Sequence, residues 1–96
     1  MEHFLRDKVI YSGQLWIAFE HPKPAYSLHI LLVPRQNIPN LMDADARNPA
    51  LLGELVAAVQ QLVNSYGLAE RGYRLICNGG ENQQVPHLHF HLVSGS

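Results

Sequence analysis

The chain has 96 residues, of which 47% are hydrophobic, and its formal net charge is −1. This length predicts a single domain over residues 1–96. Seven basic and eight acidic residues are spread along the chain, which excludes the concentrated basic surface of a nucleic-acid-binding domain. No apolar stretch approaches the ~20 residues that a membrane span requires, so no membrane partner is expected.

Cysteine usage and the N-terminal residues indicate where the protein works. Cys77 is the single cysteine, so neither an intrachain disulfide nor a Cys-x-x-Cys metal pair can form, and we interpret it as a small buried residue on a strand. Residues 1–8 lack the apolar core of a secretion signal. These features predict a reducing, cytoplasmic location.

The first half of the chain has the patterns of strands joined by turns. Three strands are predicted, at residues 9–11, 14–19 and 28–33. Ser12-Gly13 predicts a tight turn between the first two strands. Pro22 and Pro24 predict a rigid, extended loop before the third, because proline fixes φ and donates no hydrogen bond. A short helical turn is predicted within residues 37–45.

A long helix is predicted from Pro49 to Tyr66. Asn48 is suited to cap its first turn, Pro49 to occupy the first helical position, and Gly67 to end the helix. Apolar residues recur at helical spacing and form one stripe: Leu52, Leu55, Val56, Val59, Leu62, Val63 and Tyr66. Such a stripe needs a sheet to cover.

Two more strands are predicted after the helix, at residues 73–78 and 87–93, with a polar loop over residues 79–86. The order of strands, helix and strands favours helices packed on one side of an antiparallel sheet. The predicted fold class is therefore α+β, with an antiparallel sheet of about five strands, one long helix and one short helix.

The chemistry of this chain is concentrated in the last predicted strand. His87, His89 and His91 alternate with apolar residues, so a regular strand would place the three imidazoles on one face, about 6.5–7 Å apart. Such a row has three interpretations. The histidines are surface residues that alternate with the core, or they form a zinc site with an open catalytic position, or a neutral imidazole attacks phosphorus while its neighbours donate hydrogen bonds. The spacing alone does not choose among them.

Resemblance to a known family favours the third interpretation. The run His-φ-His-φ-His-φ-φ at residues 87–93, with φ apolar, resembles the motif of the histidine-triad superfamily. Residues 28–35, which end in Pro34-Arg35, are similar to the family's strand ending in proline and a basic residue. Residues 78–80 and 83–87 resemble its asparagine-containing loop and the glutamine segment before the triad.

The resemblance implies an enzyme, a nucleotide hydrolase or transferase of the phosphoramidase or dinucleotide-hydrolase kind. In the family the middle histidine, here His89, attacks the α-phosphorus of a nucleotide conjugate and forms a nucleotidyl-histidine. The third, His91, would hydrogen-bond a phosphate oxygen. The backbone carbonyl of His87 would orient the His89 ring, and His29 would support the triad from the neighbouring strand. No metal and no cofactor are implied.

The binding residues that the resemblance implies fall into two groups. Gln83, Asn78 and Gln84 would contact the phosphate, Gln84 standing where the family has a serine or threonine that assists the leaving group. The ribose and base would lie near His21, Glu20, Phe19, Ile10 and Leu31.

His21 stands where the family has an acid that hydrogen-bonds both ribose hydroxyls. Asn82 stands where the family has a glycine. The expected partners are a small-molecule nucleotide and a second copy of the chain, in a homodimer. Two alternatives are a nucleotide-binding or regulatory module with weak turnover and a zinc-dependent hydrolase.

Overall fold

A computed structural model describes residues 8–96. Residues 1–7, which belong to the segment without a secretion-signal pattern, lie outside the described residues. Five strands form one antiparallel sheet in the order β1-β2-β3-β5-β4. Their bounds are β1 Val9–Ser12, β2 Trp16–Glu20, β3 Leu28–Pro34, β4 Arg74–Ile76 and β5 Phe90–Ser94. The predicted α+β class with about five antiparallel strands is confirmed.

The long helix α1 spans Pro49–Ser65, close to its predicted bounds. The side chain of Asn48 accepts a hydrogen bond from the amide of Ala50, which satisfies a donor that the first helical turn leaves unpaired. Gly67, with φ of 65°, adopts the left-handed conformation that stops the helix. The predicted helical turn is a 3-10 helix at Ala44–Arg47, and a short helix α2, Leu68–Arg71, was not predicted.

Helix α1 covers one face of the sheet. Its buried residues are Leu51, Leu55, Ala58, Val59, Leu62 and Val63. They pack against the sheet residues Trp16, Ala18, Ile30, Leu32 and Leu92. The predicted stripe was partly wrong, because Leu52 and Val56 are 42% and 53% exposed. At 100° per residue the buried stripe is centred near Leu55 and Leu62, and Leu52 and Val56 lie to one side of that centre.

Residues that alternate with this core lie on the opposite face of the sheet. Ile17, Phe19, Leu31 and Val33 form a second buried cluster there. Leu31 of β3 pairs directly with His91 of β5, and His29 pairs with Val93. Because paired residues of antiparallel strands share a face, His29 and His91 are diagonal neighbours on the face away from α1.

Strand β5 begins at Phe90 rather than at the predicted His87. The amide of His87 donates to the carbonyl of Val85 across Pro86, and the amide of Leu88 donates to Ile38. This tight turn holds the first part of the triad out of the sheet ladder. His87 and His89 therefore approach the site from a loop, while His91 approaches it from a strand. No helix within residues 8–96 has the length and apolar character needed to cross a membrane.

Candidate active site

A cavity of about 380 Å³ opens on the face of the sheet away from α1. Its lining is His21, Pro22, Leu31, Val33, Asn78, Asn82, Gln84, Val85, His87, His89 and His91. All three triad histidines therefore meet in one cavity, together with the loop between β2 and β3 and the loop between β4 and β5. Among residues 8–96 the lining holds imidazoles, amides and apolar groups, with no carboxylate, lysine or arginine.

The orientation of His89 is fixed by its neighbour's backbone. Its Nδ1 lies 2.8 Å from the carbonyl oxygen of His87, and because that oxygen can only accept, Nδ1 carries the proton. The neutral ring then has its lone pair on Nε2. His87 is held in turn by its own Nε2, which donates to the carbonyl of Pro34 at 3.2 Å. His89 is thus set up to use Nε2 as a nucleophile or a base.

His91 has the opposite tautomer because of a short hydrogen-bond chain. The amide of Ala25 donates to Nδ1 of His29 at 3.0 Å, so the neutral His29 ring carries its proton on Nε2. That Nε2 lies 2.8 Å from Nδ1 of His91 and donates to it. His91 therefore carries its own proton on Nε2. His89 and His91, whose ring centroids are 5.1 Å apart, present a lone pair and a donor side by side.

Burial and mutual repulsion keep the inner histidines neutral. Burial first, and then the charges of three neighbouring imidazoles, lowers the pKa of His91 to about 4. Burial, followed by the charge of His21, also lowers the pKa of His29. Since protonation at Nδ1 would break the His29–His91 hydrogen bond, the lowered pKa values protect the donor arrangement.

The predicted phosphate-binding amides divide into two kinds. Gln84 and Asn78 line the cavity. The Gln83 side chain does not, because its Nε2 donates to the carbonyls of Pro39 at 2.7 Å and Val85 at 3.0 Å. Gln83 thus braces the loop that carries Gln84, and its amide nitrogen is turned away from the cavity.

The predicted ribose and base residues are also divided. His21 and Leu31 line the cavity, whereas Phe19 is fully buried in the cluster beneath Leu31. Ile10 packs against the main core instead, so it does not contribute to a base pocket. Glu20 is exposed at the end of β2 and is not part of the lining.

Four lining residues were not among the predicted site residues: Pro22, Val33, Asn82 and Val85. Val33 follows from the period of two in β3, which places it on the same face as Leu31. Tyr26, whose ring meets His29 edge-on at 5.5 Å, was also missed. It lies in the proline-containing loop between β2 and β3, where no periodicity indicates the direction of a side chain.

Metal binding was the second interpretation of the histidine row. In the part of the chain from residue 8 onward, no group of three or more His, Cys, Asp or Glu side chains is arranged to hold a metal ion. His29 and His91 use one nitrogen each on the other, and His89 uses Nδ1 on a carbonyl. The ring geometry of this chain therefore offers no three-histidine metal site among these residues.

The lowered pKa values predict how stability depends on pH. The unfolded chain takes up a proton at His91 near pH 6.5, at the usual histidine value, whereas the native chain does so only near pH 4. The unfolded state thus binds more protons between these values, so the free energy of unfolding should fall as the pH falls from 6.5 toward 4. Urea unfolding at several pH values measures this slope. His91→Asn should flatten it, and an unchanged slope in a folded variant would contradict the assignment.

Comparison with known proteins identifies the family of this chain. Residues 4–96 match the family model described as the HIT domain. A HIT-like protein of Synechococcus elongatus is 42% identical over 91% of this chain and 77% of its own length. The purine nucleoside phosphoramidase of Escherichia coli is 35% identical over 91% of this chain and 75% of its own length. The solved HIT family hydrolase from Clostridium thermocellum superimposes with a TM-score of 0.87 at 33% identity, over 99% of this chain and 84% of that one. The chain belongs to the histidine-triad family.

Proposed function

We propose that the chain cleaves nucleotide conjugates at the α-phosphorus, with His89 as the nucleophile, and that nucleoside phosphoramidates are its substrates. The observation that carries the proposal is the hydrogen bond from His89 Nδ1 to the carbonyl of His87. It leaves the Nε2 lone pair for attack inside a cavity that also holds the donor His91. The similarity to a purine nucleoside phosphoramidase supports the same chemistry.

The proposed reaction has two displacements at phosphorus. In the first, the Nε2 lone pair of His89 forms a bond to phosphorus, and the bond from phosphorus to the amine breaks. The amine leaves with that electron pair and takes a proton from solvent. In the second, water attacks phosphorus, the bond to Nε2 breaks, and a proton passes to solvent. The products are a nucleoside monophosphate and an amine.

Uncharged donors would stabilise the phosphate during both steps. His91 offers Nε2–H, and the amides of Gln84 and Asn78 face the same cavity. Gln83 would act indirectly, by holding the Gln84 loop. Leu31 and Val33 would pack against the sugar or base, over the buried ring of Phe19.

A direct test is to incubate the protein with adenosine 5′-phosphoramidate, to follow ammonia release, and to quench the reaction for intact mass. A turnover product together with a transient nucleotidyl adduct supports the proposal. The absence of both, in a protein that binds the nucleotide, would refute it.

A nucleotide-binding module with weak turnover is the second candidate. Because the pKa of His91 is lowered to about 4, this ring carries no extra proton for a leaving group at neutral pH. Gln84 also lacks the hydroxyl that the family has at this position. The adduct experiment separates the two candidates, since a binding module forms no phosphorus–nitrogen bond. The cytoplasmic location stays a prediction.

Ribose recognition should be weak in this chain. The amide of Lys23 donates to Nδ1 of His21 at 3.0 Å, so the neutral ring carries its proton on Nε2 and has no acceptor left for a ribose diol. Ribo- and deoxyribonucleoside monophosphates should therefore bind within about tenfold of each other. The carboxylate of His21→Asp accepts two hydrogen bonds, so this variant should have a larger difference in affinity between the ribo- and deoxyribonucleotides. Calorimetric titration of both ligands into both proteins measures it, and a wild type that prefers ribose by about a hundredfold or more would contradict the expectation.

We also propose that two copies of the chain form a homodimer. Leu52 and Val56 lie one turn apart and form an exposed apolar stripe on α1. Within the described sheet, β4 is an edge strand, and its Leu75 is 41% exposed. Exposed apolar groups and open strand edges favour association. Light scattering at micromolar concentration should give twice the chain mass, and Val56→Glu should lower it. A monomer in the wild type would contradict the proposal.

A further inference from the structure

The loop between β2 and β3 places a fourth imidazole against the inner histidines. The ring centroid of His21 lies 4.3 Å from that of His29, with 30° between the ring planes. It lies 6.2 Å from that of His91, with 23° between the planes. The His21 ring is thus tilted by 30° or less from both members of the hydrogen-bonded pair, and it lies closer to His29 than to His91. By the family resemblance given above, an acid is expected at this position, so the imidazole of His21 is a departure from the family pattern.

The same loop fixes the tautomers of two rings through its backbone. The amide of Lys23 donates to Nδ1 of His21, and the amide of Ala25 donates to Nδ1 of His29. Each ring is therefore anchored on one nitrogen by an amide two or four residues away in the sequence. The hydrogen bond from the Ala25 amide restrains the His29 ring only softly, because a hydrogen bond tolerates a range of distances and angles.

Packing is what restrains that rotation. Tyr26 meets the His29 ring edge-on at 5.5 Å, with 75° between the planes, while His21 lies against the ring at a tilt of 30°. His29 is 8% exposed, so these contacts account for much of its surroundings. A ring held in this way keeps Nε2–H directed at Nδ1 of His91, 2.8 Å away.

We propose that His21 is a positioning residue, which holds His29 in the orientation that makes His91 a hydrogen-bond donor toward the cavity. Without the contact between the rings of His21 and His29, the His29 ring can change its tilt. The 2.8 Å hydrogen bond from His29 to His91 then lengthens, and Nδ1 of His91 loses its donor. His91 then samples both tautomers, and in one of them Nε2 presents a lone pair instead of a proton to the phosphate.

The charges around this pair support the assignment. His91 faces His89, His29 and His21, and the charge of each lowers its pKa. His29 faces His21 as well, with the same effect. Arg74 of β4 lies 5.4 Å from the centre of the Tyr26 ring, which in turn contacts His29. An imidazole at position 21 therefore favours neutral partners, whereas the carboxylate of the family would favour protonated ones.

The test compares His21→Ala with His21→Phe, which keeps a flat ring without the nitrogens. Nitrogen-15 correlation spectra of the ligand-free protein report the tautomers of His29 and His91 directly. We expect one tautomer for His91 in the wild type and in His21→Phe, and a mixture in His21→Ala. With a phosphoramidate substrate, His21→Ala should lower kcat about tenfold and change KM less than about threefold, while His21→Phe should recover most of kcat.

The kinetic part rests on the proposed function, whereas the spectra do not. A single His91 tautomer in a folded His21→Ala protein would overturn the inference. So would a raised KM with normal kcat in both variants, which is the result of a lost substrate contact. If His21→Ala showed a mixture of His91 tautomers and the wild type turned over no nucleotide substrate, the positioning role would be supported and the proposed function refuted.

Discussion

Replacing His89 by alanine should lower the turnover of a nucleoside phosphoramidate by about 10⁴-fold or more. The alanine variant has no atom at this position to form the bond to phosphorus, and the two neighbouring imidazoles are held in other arrangements. His91 holds a proton on the nitrogen it presents, because His29 occupies its Nδ1. His87 uses its Nε2 on the carbonyl of Pro34. The measurement is single-turnover release of the amine, with intact mass to detect a nucleotidyl adduct in the wild type.

His91→Ala is the matched control, because it removes an imidazole of the same cavity that only donates a hydrogen bond. Loss of one such donor typically lowers a rate by about a hundredfold, so His91→Ala should retain measurable turnover and still form the adduct. His89 is half-buried rather than part of the core, so both variants should keep the wild-type circular dichroism. Normal turnover in a folded His89→Ala protein would exclude the proposed nucleophile.

The parts of the fold that were predicted correctly are those with strong local rules. Asn48, Pro49 and Gly67 place both ends of α1 to within a residue, because capping chemistry is local. The start of β5 was misplaced because the alternation of histidines and apolar residues continues through residues 87–89. Whether such a segment pairs with a strand depends on its tertiary partners, here the carbonyl of Ile38.

The site shows the same division between local pattern and tertiary contact. The triad was found because its alternation is visible in the sequence, and its chemistry was suggested by the family resemblance. The tautomers that separate His89 from His91 depend on the carbonyl of His87 and the amide of Ala25. Both contacts are made by backbone groups, so the pattern of side chains in the sequence does not predict them. Gln83 and Gln84 likewise look equivalent in sequence, and only the carbonyl of Pro39 distinguishes them.

Glu54→Ala should destabilise the protein, because this half-buried carboxylate joins helix α1 to the first hairpin. Helix α1 sends this carboxylate to the turn between β1 and β2, where it accepts from the amides of Leu15 and Trp16 at 3.0 Å each and from the hydroxyl of Tyr11 at 3.2 Å. These hydrogen bonds join α1 to the hairpin of β1 and β2. That hairpin carries Trp16, which is fully buried. The close fit also explains Gly13, since a Cβ there would lie 2.1 Å from Oε2 of Glu54.

Removing the carboxylate leaves two partly buried amides without their acceptor, at about 1–3 kcal/mol for each unsatisfied group. Because both amides are only partly buried, the lower part of that range applies to each. The free energy of unfolding should fall by about 2–4 kcal/mol, which lowers Tm by about 10–20 °C in a domain of this size. Tyr11→Phe removes a single hydrogen bond and should cost about 1 kcal/mol. Glu70→Ala, at an exposed acid of α2, is the control and should stay within about 0.5 kcal/mol of the wild type. Calorimetric melts of the four proteins give these values. If Glu54→Ala had the same Tm as Glu70→Ala, the two amides would have found water or another acceptor. The carboxylate would then not be what joins the hairpin to α1.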